Sequence, residues 1–262
     1  MSMLEQRLSA NISFLFTELP FLDRLSAAVD AGFTCVEFLF PYDHAPETVA
    51  RRLEANQLDL SVFNAPPGDW DNGERGLAAL PDRKDEFRQT IRQALVYGGA
   101  MNAERMHVMA GVAPSNDQAA AQTYRENLDW ASDIASDQGI QLMIEPINTD
   151  DMPGYFLDDF ALAAAIISAS AGRIGLQFDI YHCHKIHASV LPQLETYLPI
   201  TTHIQIAGVP DRHEPASPAL PLGSIFGLLD GNGYAGRVGC EYRPATDTVE
   251  GLAWVAQLES ER

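Results

Sequence analysis

The chain has 262 residues, 46% of them hydrophobic, enough for one large domain with a substantial core and without the bias that marks disorder. Its 17 basic and 36 acidic residues leave a net charge of −19, a field that repels polyanions and argues against nucleic acid as a partner. Cys35, Cys183 and Cys240 are odd in number, far apart and outside any CxxC, which argues against a disulfide framework; no apolar run approaches the roughly 20 residues of a membrane span, and the N-terminus lacks a signal-peptide core. A cytoplasmic protein with no membrane partner is expected, and a homo-oligomer is compatible with the sequence.

Taken in chain order, short apolar runs alternate with amphipathic stretches. Residues 8–14 read as a first strand and 21–31 as a helix stopped by Gly32. A second strand over 35–40 is apolar except for Glu37. Helix 46–56 and strand 58–63 follow, then a glycine- and proline-containing loop over 65–81, long enough to suggest a functional role. Helix 84–97, strand 105–109, helix 118–137 with Gly139 behind it, and strand 141–144 come next. The remainder reads as helix 158–168, strand 174–178, helix 190–197, strand 202–206, helix 222–230, strand 237–240 and helix 248–258. Eight strand–helix units over this length, with no linker or composition shift, predict a single α/β domain over 1–262, a (β/α)₈ TIM barrel.

Active sites of such barrels lie at the C-terminal strand ends. There the fifth strand delivers Glu145, the sixth Asp179, the seventh Gln205 and the eighth Glu241. Neighbouring strands are about 4.8 Å apart, so these side chains can converge. Three carboxylates so close repel one another, and a divalent cation removes the conflict; an all-oxygen set suits magnesium or manganese. For any one of these acids alone, a strand-end residue meeting solvent is the simpler reading.

Other residues carry two readings each. A loop after Asp179 would hold His182 over the pocket as a hydrogen-bond donor to substrate; His182, Cys183, His184 and His187 match no zinc pattern and read as the start of a helix. His184 and His187 read as surface residues, Cys183 and Cys240 as buried fillers. Arg212 and Arg75 each suit either a substrate carboxylate or a surface ion pair. Glu37 either positions a polar partner or meets water, His107 fits a satisfied barrel interior, and Trp70 either covers the pocket mouth or anchors its loop.

Together the motifs Val36-Glu37-Phe38, Pro67-Gly68-Asp69-Trp70, Gly73-Glu74-Arg75-Gly76, Ile144-Glu145-Pro146-Ile147-Asn148, Gln177-Phe178-Asp179-Ile180-Tyr181-His182, His203-Ile204-Gln205-Ile206-Ala207 and Gly239-Cys240-Glu241-Tyr242 resemble the hydroxypyruvate isomerase family, within the xylose-isomerase-like barrels that also hold ketose 3-epimerases. The resemblance implies a metal held by Glu145, Asp179, Gln205 and Glu241, with Glu145 and Glu241 as the acid–base pair. It places His182, Arg212, Asn64 and Arg75 at the substrate, a small hydroxy or oxo acid or a ketose. The implied reaction interconverts hydroxypyruvate and tartronate semialdehyde through an enediolate. The alternatives are a 2-oxo-tetronate isomerase, a ketose 3-epimerase, or a non-catalytic sugar-acid binding protein. Two departures stand out: residues 216–221 replace a glycine-rich stretch with a further glutamate, and Phe63 stands where relatives often have histidine.

Overall fold

A computed structural model describes residues 2–216 and 219–261. Among them, eight parallel strands close into one barrel in sequence order: β1 Leu8–Asn11, β2 Cys35–Phe38, β3 Asp59–Asn64, β4 Arg105–His107, β5 Gln141–Ile144, β6 Ile174–Asp179, β7 Thr201–Ile206 and β8 Val238–Cys240. Closure is made by β1 against β8, with Leu8 opposite Val238 and Ala10 opposite Cys240. The helices are α1 Met3–Arg7, α2 Phe21–Asp30, α3 Pro46–Ala55, α4 Lys84–Ala100, α5 Gln118–Ser136, α6 Phe160–Ala169, α7 Ile180–His187, α8 Leu191–Tyr197, α9 Leu222–Gly231, α10 Thr248–Gly251 and α11 Ala253–Glu261.

The strand–helix alternation is as the sequence predicts, and the boundaries differ for identifiable reasons. The first strand ends at Asn11 rather than 14, because the Asn11 carbonyl turns to accept from the amides of Phe14 and Leu15. The fourth ends at His107, after which Ala110 pairs antiparallel with Gly76 of the long loop. That pairing anchors the 65–81 loop: Ala79 N–H also donates to the Ala110 carbonyl. Gly76 sits at φ +109°, where a Cβ would lie 2.3 Å from the Met109 carbonyl oxygen, so the approach of the two chains requires glycine. The C-terminal helix is broken into α10 and α11. Helix α1 has no apolar period in the sequence that foretells it.

Caps fix the entry of the helices that follow the site strands. Asp117 and Asp159 cap α5 and α6 with their carboxylates, the expected stabilisation of orphan N–H groups. Asp179 does the same for α7, accepting from the amides of Tyr181 and His182. The sequence expectation of a loop holding His182 is therefore corrected: the aspartate that ends β6 also nucleates a helix, and His182 rides in its first turn. His184 and His187 are half-buried rather than surface groups, and His187 packs against the Phe160 ring at 5.6 Å.

Candidate active site and metal centre

The four predicted ligands meet at the C-terminal end of the barrel. Asp179 ends β6, Gln205 is the last residue but one of β7, and the two stand in register; Glu145 and Glu241 follow β5 and β8 directly. All four are at least 92% shielded. Gln177, two residues before Asp179 and so on the same strand face, links them: its Nε2 donates to Glu145 Oε2 at 2.8 Å and to Gln205 Oε1 at 2.8 Å. Gln205 Nε2 then donates to Glu241 Oε2 at 2.5 Å. Arg212 closes the chain, with Nη2 at 2.6 Å from Glu241 Oε1 and 3.4 Å from Asp179 Oδ2.

Burial sets the electrostatics. The Glu241 carboxyl is pushed up to about 8, by desolvation first and by Asp179 and Glu37 after it, against the pull of Arg212. Burial and then the charges of Asp179 and Glu241 hold Glu145 well above the carboxylate range, and burial raises Asp179. Burial lowers the Arg212 guanidinium, but Glu241, Asp179 and Glu145 outweigh it and the net shift is upward.

The residues fit a divalent cation. Three carboxylates and one guanidinium sum to −2 when all are ionised, and a dication neutralises that charge. Glu145 Oε1 is buried with no hydrogen-bond partner, an arrangement costly for a carboxylate unless something binds it. Glu145, Asp179 and His182 offer ligand atoms all within 4.8 Å of one another.

His182 is better placed as a donor than as a ligand. Its Nδ1 is 2.6 Å from Asn148 Nδ2, and Asn148 Oδ1 accepts from the Asp151 amide at 3.0 Å. The Asn148 amide orientation is thereby fixed, its NH₂ donates to Nδ1, and the ring proton resides on Nε2. That nitrogen faces Asp179 Oδ2 at 3.7 Å and Glu145 Oε1 at 3.8 Å. Burial, then Arg212, holds the ring well below its ordinary value, so it is neutral.

Below this ring lies a second polar layer that the sequence left ambiguous. Glu37 is fully buried and does not meet water. Its oxygens accept from Asn11 at 3.1 Å, Ser61 at 3.1 Å, His203 at 2.8 Å and Gln205 at 2.8 Å. Asn11 and Gln205 also donate to Glu241, so Glu37 fixes the groups that hold Glu241. Gly239 makes room for it, since a Cβ there would sit 2.3 Å from both Glu37 oxygens. His107, expected to be satisfied, has neither ring nitrogen hydrogen-bonded, and burial, with His203, lowers it to about 3.

A cavity of about 340 Å³ opens over the ring, lined by Asn64, Trp70, Arg75, His182, Arg212 and Glu241 among others. Arg75 stacks on Trp70 at 3.9 Å and donates to the carbonyls of Trp70 and Glu74; it is a wall of the cavity rather than half of a surface ion pair. Arg212 pairs with neither Asp211 nor Glu214 but with the site carboxylates. Phe63 faces away, toward Gly98 of α4, so its replacement of histidine does not alter the cavity wall. Of the departed stretch 216–221, Ser217 and Pro218 lie outside the described residues.

Sequence reasoning missed Gln177, Asn11 and His203. For Gln177 and His203 the available signal was the two-residue period, since they lie two positions before Asp179 and Gln205 on the same strand faces; Asn11, on β1, carried no such signal.

A family model described as xylose isomerase-like TIM barrel matches residues 25–258. The 2-oxo-tetronate isomerase of Cupriavidus necator is 48% identical over 252 residues, covering 95% of this chain and 97% of that protein. The hydroxypyruvate isomerase of Escherichia coli is 37% identical over 253 residues, covering 95% and 98%. A crystal structure from Brucella melitensis named as an AP endonuclease of family 2 superposes with a TM-score of 0.93 at 40% identity, over 96% of this chain and 98% of that one. With the closed eight-strand barrel and a cluster of buried acids at its C-terminal rim, the chain belongs to the xylose isomerase-like TIM-barrel family and is an enzyme of its isomerase branch.

Proposed function

We propose that this protein moves a carbonyl group between C2 and C3 of a short 2-oxo acid, with a divalent metal ion, magnesium or manganese, held by Glu145, Asp179, Gln205 and Glu241. The observation that carries the reading is the buried cluster of Glu145, Asp179, Gln205 and Glu241, linked through Gln177 and Arg212, with Glu145 Oε1 left unpartnered. In the reaction class named for the relatives, a proton leaves C3 and one returns to C2 through a planar enediolate. The ion, when bound, would supply positive charge for the developing oxyanions and hold both glutamates ionised. Glu145 and Glu241 are linked through the side chains of Gln177 and Gln205. One takes the proton and the other returns it. His182 donates its Nε2 proton to a substrate oxygen. Trp70, Arg75 and Met152 line the cavity and exclude water from the reacting carbons.

Hydroxypyruvate, giving tartronate semialdehyde, is the three-carbon substrate of this reaction. A four-carbon reading, 2-oxo-tetronate, is favoured by the 48% identity to the C. necator protein of that name. Both readings require the same C2–C3 shift. Ketose 3-epimerases enter through structures at 14–17% identity, which share the fold alone. A purely binding role is disfavoured, since two flanking buried glutamates add nothing to it. The test is proton NMR in deuterium oxide with each acid and added magnesium or manganese. Carbonyl migration with deuterium entering C2 or C3 is expected; neither acid changing in the metal-loaded protein would refute the reading.

A further inference from the structure

Three guanidinium groups line the candidate active-site cavity: Arg75, Arg212 and Arg243. Two are committed. Arg75 donates to the carbonyls of Trp70 and Glu74 and lies over the Trp70 ring. Arg212 bonds Glu241 and Asp179. Arg243 is different. Among the described residues its side chain has no hydrogen bond or ion pair, while its backbone is fixed: its N–H donates to the Arg212 carbonyl at 2.9 Å and its carbonyl is 2.8 Å from His213 Nδ1. Asp151, another acid of the cavity wall, accepts from the Tyr181 hydroxyl.

The two arginines also share a surface. Arg212 and Arg243 have their guanidinium carbons 5.2 and 6.0 Å from the centre of the same Phe14 ring. The charge of Arg212 is balanced by two carboxylates, and that of Arg243 is not. A cation so placed on a cavity wall attracts an anion. Arg243 follows Glu241 by two residues, so their Cα atoms lie within about 7 Å. It also lines an adjoining cavity of about 530 Å³ that shares Phe14, Leu39 and Trp70 with the first. It therefore stands at the seam of the two, beside the proposed proton-transfer pair.

We propose that Arg243 is the receptor for the substrate carboxylate, gripping it with its planar fork and so directing C2 and C3 inward to Glu145 and Glu241. This rests on the reading of the substrate as a short 2-oxo acid. It moves the role expected of Arg212 to Arg243: Arg212 orients the site carboxylates, and Arg243 discriminates acids from neutral ketoses. Arg243 is an exposed residue, so its replacement leaves the core intact.

The experiment uses two substitutions, R243M and R243K, in the metal-loaded protein. Binding is titrated calorimetrically with glycerate, a short hydroxy acid with no carbonyl to move, and with glycerol, its uncharged counterpart. Turnover is measured on hydroxypyruvate, on 2-oxo-tetronate and on dihydroxyacetone, a neutral ketose. R243M should weaken glycerate binding and raise KM for the acids roughly 10- to 100-fold, the size of a lost charged hydrogen-bond pair, with kcat nearly unchanged. R243K should recover part of it, and glycerol and dihydroxyacetone should be indifferent. Glycerate binding equal in wild type and R243M, or absent from both, would overturn the assignment. The two readings separate cleanly. Acid turnover unaffected by R243M leaves the reaction standing and removes Arg243. Glycerate binding that depends on Arg243, without turnover of either acid, keeps the receptor and removes the reaction.

Discussion

Replacing Glu241 by glutamine should flatten the pH dependence of the metal-free protein's stability while disabling the protein, and the direction of the lost pH dependence is defined. In the folded chain the Glu241 carboxyl keeps its proton up to about 8, against an ordinary value of 4.5. Between those values the folded state holds a proton that the unfolded chain has released. Unfolding then releases a proton, so stability falls as pH rises through the window. Each pH unit costs about 1.4 kcal/mol until the folded value is reached. From pH 6.5 to 8.5 the Glu241 contribution falls by about 2 kcal/mol, or roughly 4–8 °C in Tm for a chain of this size. Glu145 and Asp179, also raised, act in the same direction. The histidines act oppositely: His107 and His182 are lowered, so their neutral forms add stability as pH rises toward 6.5 and nothing above it. That is why the window starts at 6.5. The assay is thermal melting of chelator-treated wild type and Glu241→Gln at pH 6.5, 7.5 and 8.5, repeated with magnesium or manganese. Wild type should lose stability across the series, the variant should lose at least about 2 kcal/mol less, and metal should protect wild type far more. A variant as pH-sensitive as wild type would refute the claim that burial and mutual repulsion strain this carboxyl cluster.

Glu145→Gln should keep measurable metal binding and lose about 10²–10⁴-fold in turnover, whereas Asp179→Ala should lose metal first and regain activity with added metal; metal content and deuterium uptake on the same samples separate the two. Glu37→Gln places an NH₂ among four donors, so calorimetric metal affinity and kcat should both drop with KM little changed, at a stability cost of about 1–3 kcal/mol. Gly76→Ala forces a Cβ onto the Met109 carbonyl and should cost about 2–4 kcal/mol in denaturant titration; Gly73→Ala, at φ +92° with nothing within 4 Å, should cost only about 1 kcal/mol. Burial raises all three thiols, Cys183 to about 12, so none should react with a thiol reagent at pH 8 until the protein is unfolded.

The strand–helix alternation and the acids at the strand ends were legible because both depend on local order. A two-residue period, a helix stop or a residue just past a β run is a property of neighbours in the chain. Glu145, Asp179, Gln205 and Glu241 could be picked out since closing the barrel brings the ends of β5 to β8 together whatever the side chains do. What Glu37 does could not be read: four donors from β1, β3 and β7 surround it, and they assemble only when the barrel closes. The same holds for the arginines. Arg75, Arg212 and Arg243 are chemically identical in the sequence. Only the folded chain spends Arg212 on Glu241 and Asp179, stacks Arg75 on Trp70 and leaves Arg243 open to the cavity, because hydrogen-bond partners are set by three-dimensional proximity and not by spacing along the chain.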